Sequence, residues 1–177
     1  MPASARNQGS DRQGRNMVRF GIILVLCFVA FSIVYFCLRR SAIVTPFLGF
    51  NATVSSFILN LFGGSSEVDG TIIASGSNSF QVITECTSAI PTAILVSAIL
   101  AWQCSPRDKL IGICLGVPLL FAINIGRIIS LLYIGSAFPD FFDIAHFYIW
   151  QGLLILITVV LWLIWAEKLV RTPTEIP

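Results

Sequence analysis

The chain has 177 residues, 56% of them hydrophobic and only 11% charged, with a net charge of +2 at pH 7. An average soluble domain carries roughly 25% charged residues. That much apolar surface behind so few charges excludes a soluble domain, and with it disordered, coiled-coil and nucleic-acid-binding readings. What remains is an all-α integral membrane protein, and the positions of its few charges set its orientation.

In chain order, residues 1–18 read as a flexible cytoplasmic tail, 19–166 as one membrane-embedded domain and 167–177 as a second cytoplasmic tail. The first apolar run, about Phe20 to Leu38, matches the ~20 residues of a membrane span and follows Arg12, Arg15 and Arg19. It ends at Arg39-Arg40 without a small-x-small cleavage site, so it reads as a span rather than a cleaved signal. Ile43 to Phe62 is apolar on average but carries Pro46, Asn51, Thr53, Ser55, Ser56 and Asn60; it reads as an interfacial helix, the alternative being a span that would push the Arg107 and Lys109 loop outside against the charge rule. Turn residues Gly63-Gly64 and Asp69-Gly70 then bracket a short external β-hairpin around Thr71-Ile72-Ile73 and Phe80-Gln81-Val82-Ile83. Further spans are predicted at about Ile83 to Trp102, Leu110 to Ile134 and Phe147 to Ala166, giving about four transmembrane helices. With the amino terminus in the cytoplasm, Arg6, Arg12, Arg15, Arg19, Arg107, Lys109, Lys168 and Arg171 lie inside, leaving Arg39 and Arg40 outside, as the positive-inside rule requires.

Five cysteines cannot all pair, and Cys27, Cys37 and Cys114 fall within predicted helices, so no disulfide framework is expected. No CxxC or His-x-x-x-His spacing supports a metal site. Cys86 differs from the other cysteines: it sits at the outer end of the second span in the polar stretch Thr84-Glu85-Cys86-Thr87-Ser88. Beyond it, Ala89, Ala93, Ser97 and Ala101 recur every four residues and share one helix face. The third span carries a matching stripe of Gly112, Gly116, Leu120, Asn124 and Arg127, which aims Arg127 into the bundle.

A charge at the membrane centre costs on the order of 2.5 to 3.5 kcal/mol by insertion scales, and such residues usually serve a function. His146, the sole histidine, precedes the fourth span on the same outer side. Three helix ends therefore bring a thiol, a guanidinium and an imidazole to one boundary. A thiolate attacks, an imidazole moves protons, and a cation stabilises a thiolate or an oxyanion. Thr87 or Ser88 is expected to cap the helix, placing Cys86 at its positive end and lowering the thiol pKa. These are the parts of acyl transfer on a peptide bond.

Glu85-Cys86-Thr87-Ser88, Asn124-Ile125-Gly126-Arg127 and Ala145-His146-Phe147-Tyr148-Ile149-Trp150-Gln151 resemble the exosortase/archaeosortase family of membrane transpeptidases, and the His-x-x-x-Trp-Gln segment with the small size looks most like the exosortase H group. The similarity runs over about Ile43 to Trp165, with Ser88 standing where the family often has glycine. The resemblance implies a cysteine protease or transpeptidase with Cys86 as nucleophile, Arg127 as electrostatic partner and His146 as acid/base group, supported by Asn124, Glu85 and Thr87. It implies no cofactor or metal, and substrates that are exported proteins ending in a short motif, a transmembrane helix and a basic tail. The site would face the extracytoplasmic side of the cytoplasmic (inner) membrane. The other reading the residues allow is a non-enzymatic small transporter or assembly subunit using Arg127, Asn124 and His146 as a polar path.

Overall fold

The computed structural model describes residues 3–39, 41, 43–76 and 78–170, with side chains described from residue 14 onward except at residue 169. Arg40 and Arg171, counted in the charge pattern, and residues 171–177 of the predicted tail lie outside the described residues. Five helices carry the fold: α1 (Ala3–Leu38), α2 (Val44–Leu61), α3 (Ala89–Ala101), α4 (Pro106–Ala137) and α5 (Trp150–Ile164). Between α2 and α3 lies an antiparallel sheet in the order β1 (Glu67–Asp69), β2 (Ile72–Ser75), β3 (Asn78–Gln81). Its register pairs Val68 with Ile73 and Ile73 with Phe80, which leaves Ile73 fully buried against the helices. The backbone of residues 3–16, expected as a flexible tail, is the amino-terminal part of α1.

Among the described residues, four helical segments are long and apolar enough to cross a membrane: Gly14–Leu38, Val44–Leu61, Pro106–Ala137 and Pro139–Lys168. The number matches the expectation but the membership differs. The segment expected to span from Ile83 to Trp102 is helical only over Ala89–Ala101, roughly 20 Å at 1.5 Å per residue against a hydrocarbon core of about 30 Å. The polar stretch Thr84–Ser88 forms a single 3₁₀ turn (Thr84–Cys86) instead of continuing the helix. Irregular backbone at membrane depth is tolerated where protein screens it, and α3 packs against α1, α4 and α5.

Helix α2 has the length of a span, yet it is laid along the sheet. A Cβ at Gly49 would press on the Gly70 carbonyl, while Ser56 and Asn60 hydrogen-bond Ser66. Both ends of the helix thus touch one hairpin. Its buried face is small and polar (Asn51, Ala52, Ser55, Ser56), whereas Phe47, Phe50, Phe57 and Leu61 are exposed.

Two buried clusters follow. Ala52, Leu59, Ile73, Val82, Ile125, Ile128 and Leu132 join α2, the sheet and the second half of α4. Leu95, Ile99, Leu120 and Trp165 join α3, α4 and the chain beyond α5. At the latter end Phe20, Trp102 and Trp162 pack ring to ring, with Trp102 edge-on to both. The expected α4 stripe is real: Gly112, Leu120, Asn124 and Arg127 are buried, and Leu95 lies where a Cβ on Gly116 would be.

Candidate active site

The site forms where α3 has not yet begun, the last third of α4 passes, and the chain enters α5. Cys86 closes the 3₁₀ turn, its N–H bonding the Ile83 carbonyl at 2.9 Å. Thr87 locks that turn by donating its hydroxyl to the Thr84 carbonyl at 2.7 Å. Across from it, Asn124 and Arg127 lie one helical turn apart on α4 and are 0% and 2% exposed. Asn124 Nδ2 donates to the Cys86 carbonyl at 2.8 Å. Arg127 donates through Nη1 to the Glu85 carbonyl at 3.3 Å and through Nη2 to the His146 carbonyl at 3.5 Å. One guanidinium therefore braces the two backbone segments that carry the thiol and the imidazole.

His146 arrives on a π-helical turn, Ile144–Ile149, which feeds directly into α5. Such one-turn bulges shift side-chain phase relative to an α-helix and recur at functional sites. The turn buries His146 to 4% exposure and packs its ring between Phe142 and Phe147, with centroids 5.6 and 4.6 Å away. Its Nε2 stands 3.6 Å from Cys86 Sγ. The three residues expected to converge, 41 and 19 positions apart in sequence, do converge.

A protein-family model described as a transmembrane exosortase matches residues 11–166. The chain belongs to the transmembrane exosortase family. No curated protein and no solved structure matches it. In this exosortase, two sequence-based expectations about Cys86 need correction. Ser88 occupies the N-cap position of α3 but makes no side-chain cap, and Thr87 is spent on closing the 3₁₀ turn, so neither caps the helix. Nor does the thiol pKa fall. Burial pushes it above its ordinary value, with the Ile83 backbone hydrogen bond and the Arg127 charge pulling down and Glu85 pushing up. The proton acceptor within reach of this thiol is the His146 imidazole.

Glu85 contributes through its backbone: its carboxylate is exposed and accepts from the Thr84 hydroxyl at 2.9 Å, while its carbonyl takes the Arg127 bond. Ser88 adopts φ −80°, a backbone conformation open to any residue. Among the described residues, Arg127 Nε and Asn124 Oδ1 are buried without a hydrogen-bond partner, which buried polar groups seldom are.

A pocket of about 300 Å³ opens beside this cluster, its polar lining drawn from Thr84, Glu85, Arg127 and His146 and also from Tyr35, Arg39 and Gln151. The α1 pair was not among the residues singled out from the sequence. Its signal was present, since Tyr35 and Arg39 are four apart at the end of the first span and share a helix face. Among the described residues no group of three or more His, Cys, Asp or Glu side chains is arranged to hold a metal ion.

Proposed function

We propose that the protein is a membrane cysteine transpeptidase or protease that cleaves the carboxy-terminal sorting signal of exported proteins at the extracytoplasmic face. The observation that carries this reading is the 3.6 Å approach of Cys86 Sγ to His146 Nε2 with Arg127 and Asn124 bracing the backbone on either side. His146 Nε2 takes the thiol proton as Sγ bonds to the scissile carbonyl carbon. The tetrahedral oxyanion collapses, the C–N bond breaks, and the imidazolium returns the proton to the departing amine. The thioester is then attacked by an acceptor amine or water, which gives its proton to His146, and the sulfur leaves to be reprotonated. The Arg127 guanidinium, in the lining of the same pocket as His146, supplies positive charge toward the developing oxyanion.

A substrate anchored by a transmembrane helix fits a second feature. An apolar groove of about 750 Å³ runs between α1, α2 and α3 and shares Tyr35, Arg39, Thr84, Thr87 and Ala89 with the His146 pocket. Its α3 wall extends from Ala89 to Val96, roughly 10 Å along the helix axis at 1.5 Å per residue. An apolar segment lying there would end beside the pocket that His146 lines.

The test is to co-produce the protein with an exported precursor that ends in a motif, an apolar helix and a basic tail, and to follow precursor and product. Cys86→Ala and His146→Ala are each expected to abolish conversion while the protein stays in the membrane. Normal conversion by Cys86→Ala would sink the covalent mechanism and favour a non-enzymatic role.

A further inference from the structure

Cys86 stands near two cavities. On the side of His146, whose Nε2 is 3.6 Å from Sγ, lies the pocket that His146 and Arg127 line. On the other is an apolar pocket of about 40 Å³, walled by Ile73, Phe80, Val82, Ile128, Leu131 and Phe142, with Cys86 itself in the wall and Gln81 at its edge. Those walls come from the sheet, from α4 and from the turn before α5, and they are fixed. Ile73, Val82, Ile128 and Leu131 are all 5% exposed or less. The Phe80 and Phe142 rings pack at 6.1 Å against Gly135, where any Cβ would collide with Phe80.

We propose that this pocket selects the substrate residue whose carbonyl Cys86 attacks, and that it takes a small aliphatic side chain. The inference rests on the cysteine transpeptidase reading. A bond cleaved over Cys86 has two halves, and the one that needs a proton is the leaving amine. That half must lie toward His146, in the pocket that His146 lines. The acyl half lies on the far side of the sulfur, where the apolar pocket is the cavity that the thiol borders.

Size and chemistry set the selectivity. One water needs about 10–15 Å³ of cavity measured this way, so 40 Å³ has room for about three or four heavy atoms. Valine and leucine side chains fit; an indole does not. A carboxylate would lose its hydration against hydrocarbon walls that return almost no hydrogen bonds.

The full-length protein in membranes is treated with acetyl-aminoacyl chloromethyl ketones built on valine, leucine, tryptophan and aspartate. Each alkylates a thiol with loss of chloride, and modification of Cys86 is read from the mass of its peptide, with iodoacetamide as a probe that needs no pocket. Valine and leucine probes are expected to modify Cys86 at least about tenfold faster than tryptophan or aspartate probes, the scale of discrimination by an apolar pocket. Leu131→Ala widens the pocket and is expected to raise the tryptophan rate selectively, leaving iodoacetamide unchanged. Should that core variant fail to accumulate, Phe80→Leu widens the pocket from the sheet side and tests the same point. Equal rates for all four probes, or an unchanged order in a widened variant that iodoacetamide still labels, would overturn the pocket assignment. Equal rates alongside Cys86-dependent precursor processing sink the pocket alone, whereas processing that survives Cys86→Ala sinks the transpeptidase reading and the pocket with it.

Discussion

One face of α4 meets two different surroundings. Near its start, Gly112 lets the Trp165 indole lie against the helix backbone, where Trp165 donates to the Asp108 carbonyl at 3.0 Å and Leu95, Ile99 and Leu120 close around it. Fifteen residues on, the same face offers Asn124 and Arg127 to a 3₁₀ turn and a π turn. At the first end, the buried Thr158 hydroxyl keeps to its own helix, donating to the Leu154 carbonyl. At the second, the polar side chains reach across to other segments, and irregular backbone supplies the carbonyls that they need. Helices alone satisfy their own carbonyls. The unwound ends at Thr84–Cys86 and Ile144–Ile149 are therefore what make a polar site possible inside an apolar bundle.

Removing the brace at the second end is expected to have the largest effect. Arg127→Ala leaves the Glu85 and His146 carbonyls without their donor, and loss of such a preorganised group costs on the order of 10²- to 10³-fold in turnover. Arg127→Lys keeps the charge but not the fork that holds two acceptors at once, and its activity should fall well below wild type. The counterpart at the other end is Leu120→Ala, expected to cost about 2–5 kcal/mol of stability with turnover per folded molecule retained. Precursor conversion normalised to folded protein, with thermal unfolding in detergent, separates the two. Full activity in Arg127→Lys would reduce the fork to a plain charge.

A glycine at each end gives a smaller, paired test. Gly112→Ala presses a methyl into the Trp165 indole and Gly135→Ala presses one into the Phe80 ring. Overpacking of this kind costs about 1–3 kcal/mol. Both variants should lower the unfolding temperature, but only Gly135→Ala should also change turnover, because Phe80 and Phe142 stand over Cys86 and beside His146. Equal effects on turnover would mean that the two ends are not functionally separate.

Much of this was legible before any coordinates. The four- and three-residue steps from Gly112 to Arg127 placed small and polar residues on one face, and Cys86, Arg127 and His146 were expected to meet. The membrane class followed from composition alone. Three things were not legible. The early end of α3 depends on whether Thr84–Ser88 gains more from helix or from bonding Arg127 and Asn124, a tertiary competition that no local pattern reports. The π turn adds no sequence signature, yet it sets where His146 points. Arg127 is expected from the sequence to stabilise a thiolate or an oxyanion; its hydrogen bonds to the Glu85 and His146 carbonyls, made with distant backbone, leave no local sequence signal.

The finest contrast is between two thiols. Burial raises the pKa of Cys104, at the turn between α3 and α4, with Lys109 lowering it and Asp108 raising it; Cys86 is likewise raised, with Arg127 lowering it and Glu85 raising it. Desolvation disfavours the thiolate in both, so each should react slowly with iodoacetamide at neutral pH and faster as pH climbs through its raised pKa. Only Cys86 has an imidazole 3.6 Å away to accept its proton. His146→Ala should therefore slow Cys86 labelling near neutral pH, leave Cys104 unchanged, and lose its effect in alkali, where the thiolate forms without a base. Following both cysteine peptides by mass in one sample makes Cys104 the internal reference. A variant that slows both thiols, or neither, would mean that His146 does not act as the base for Cys86.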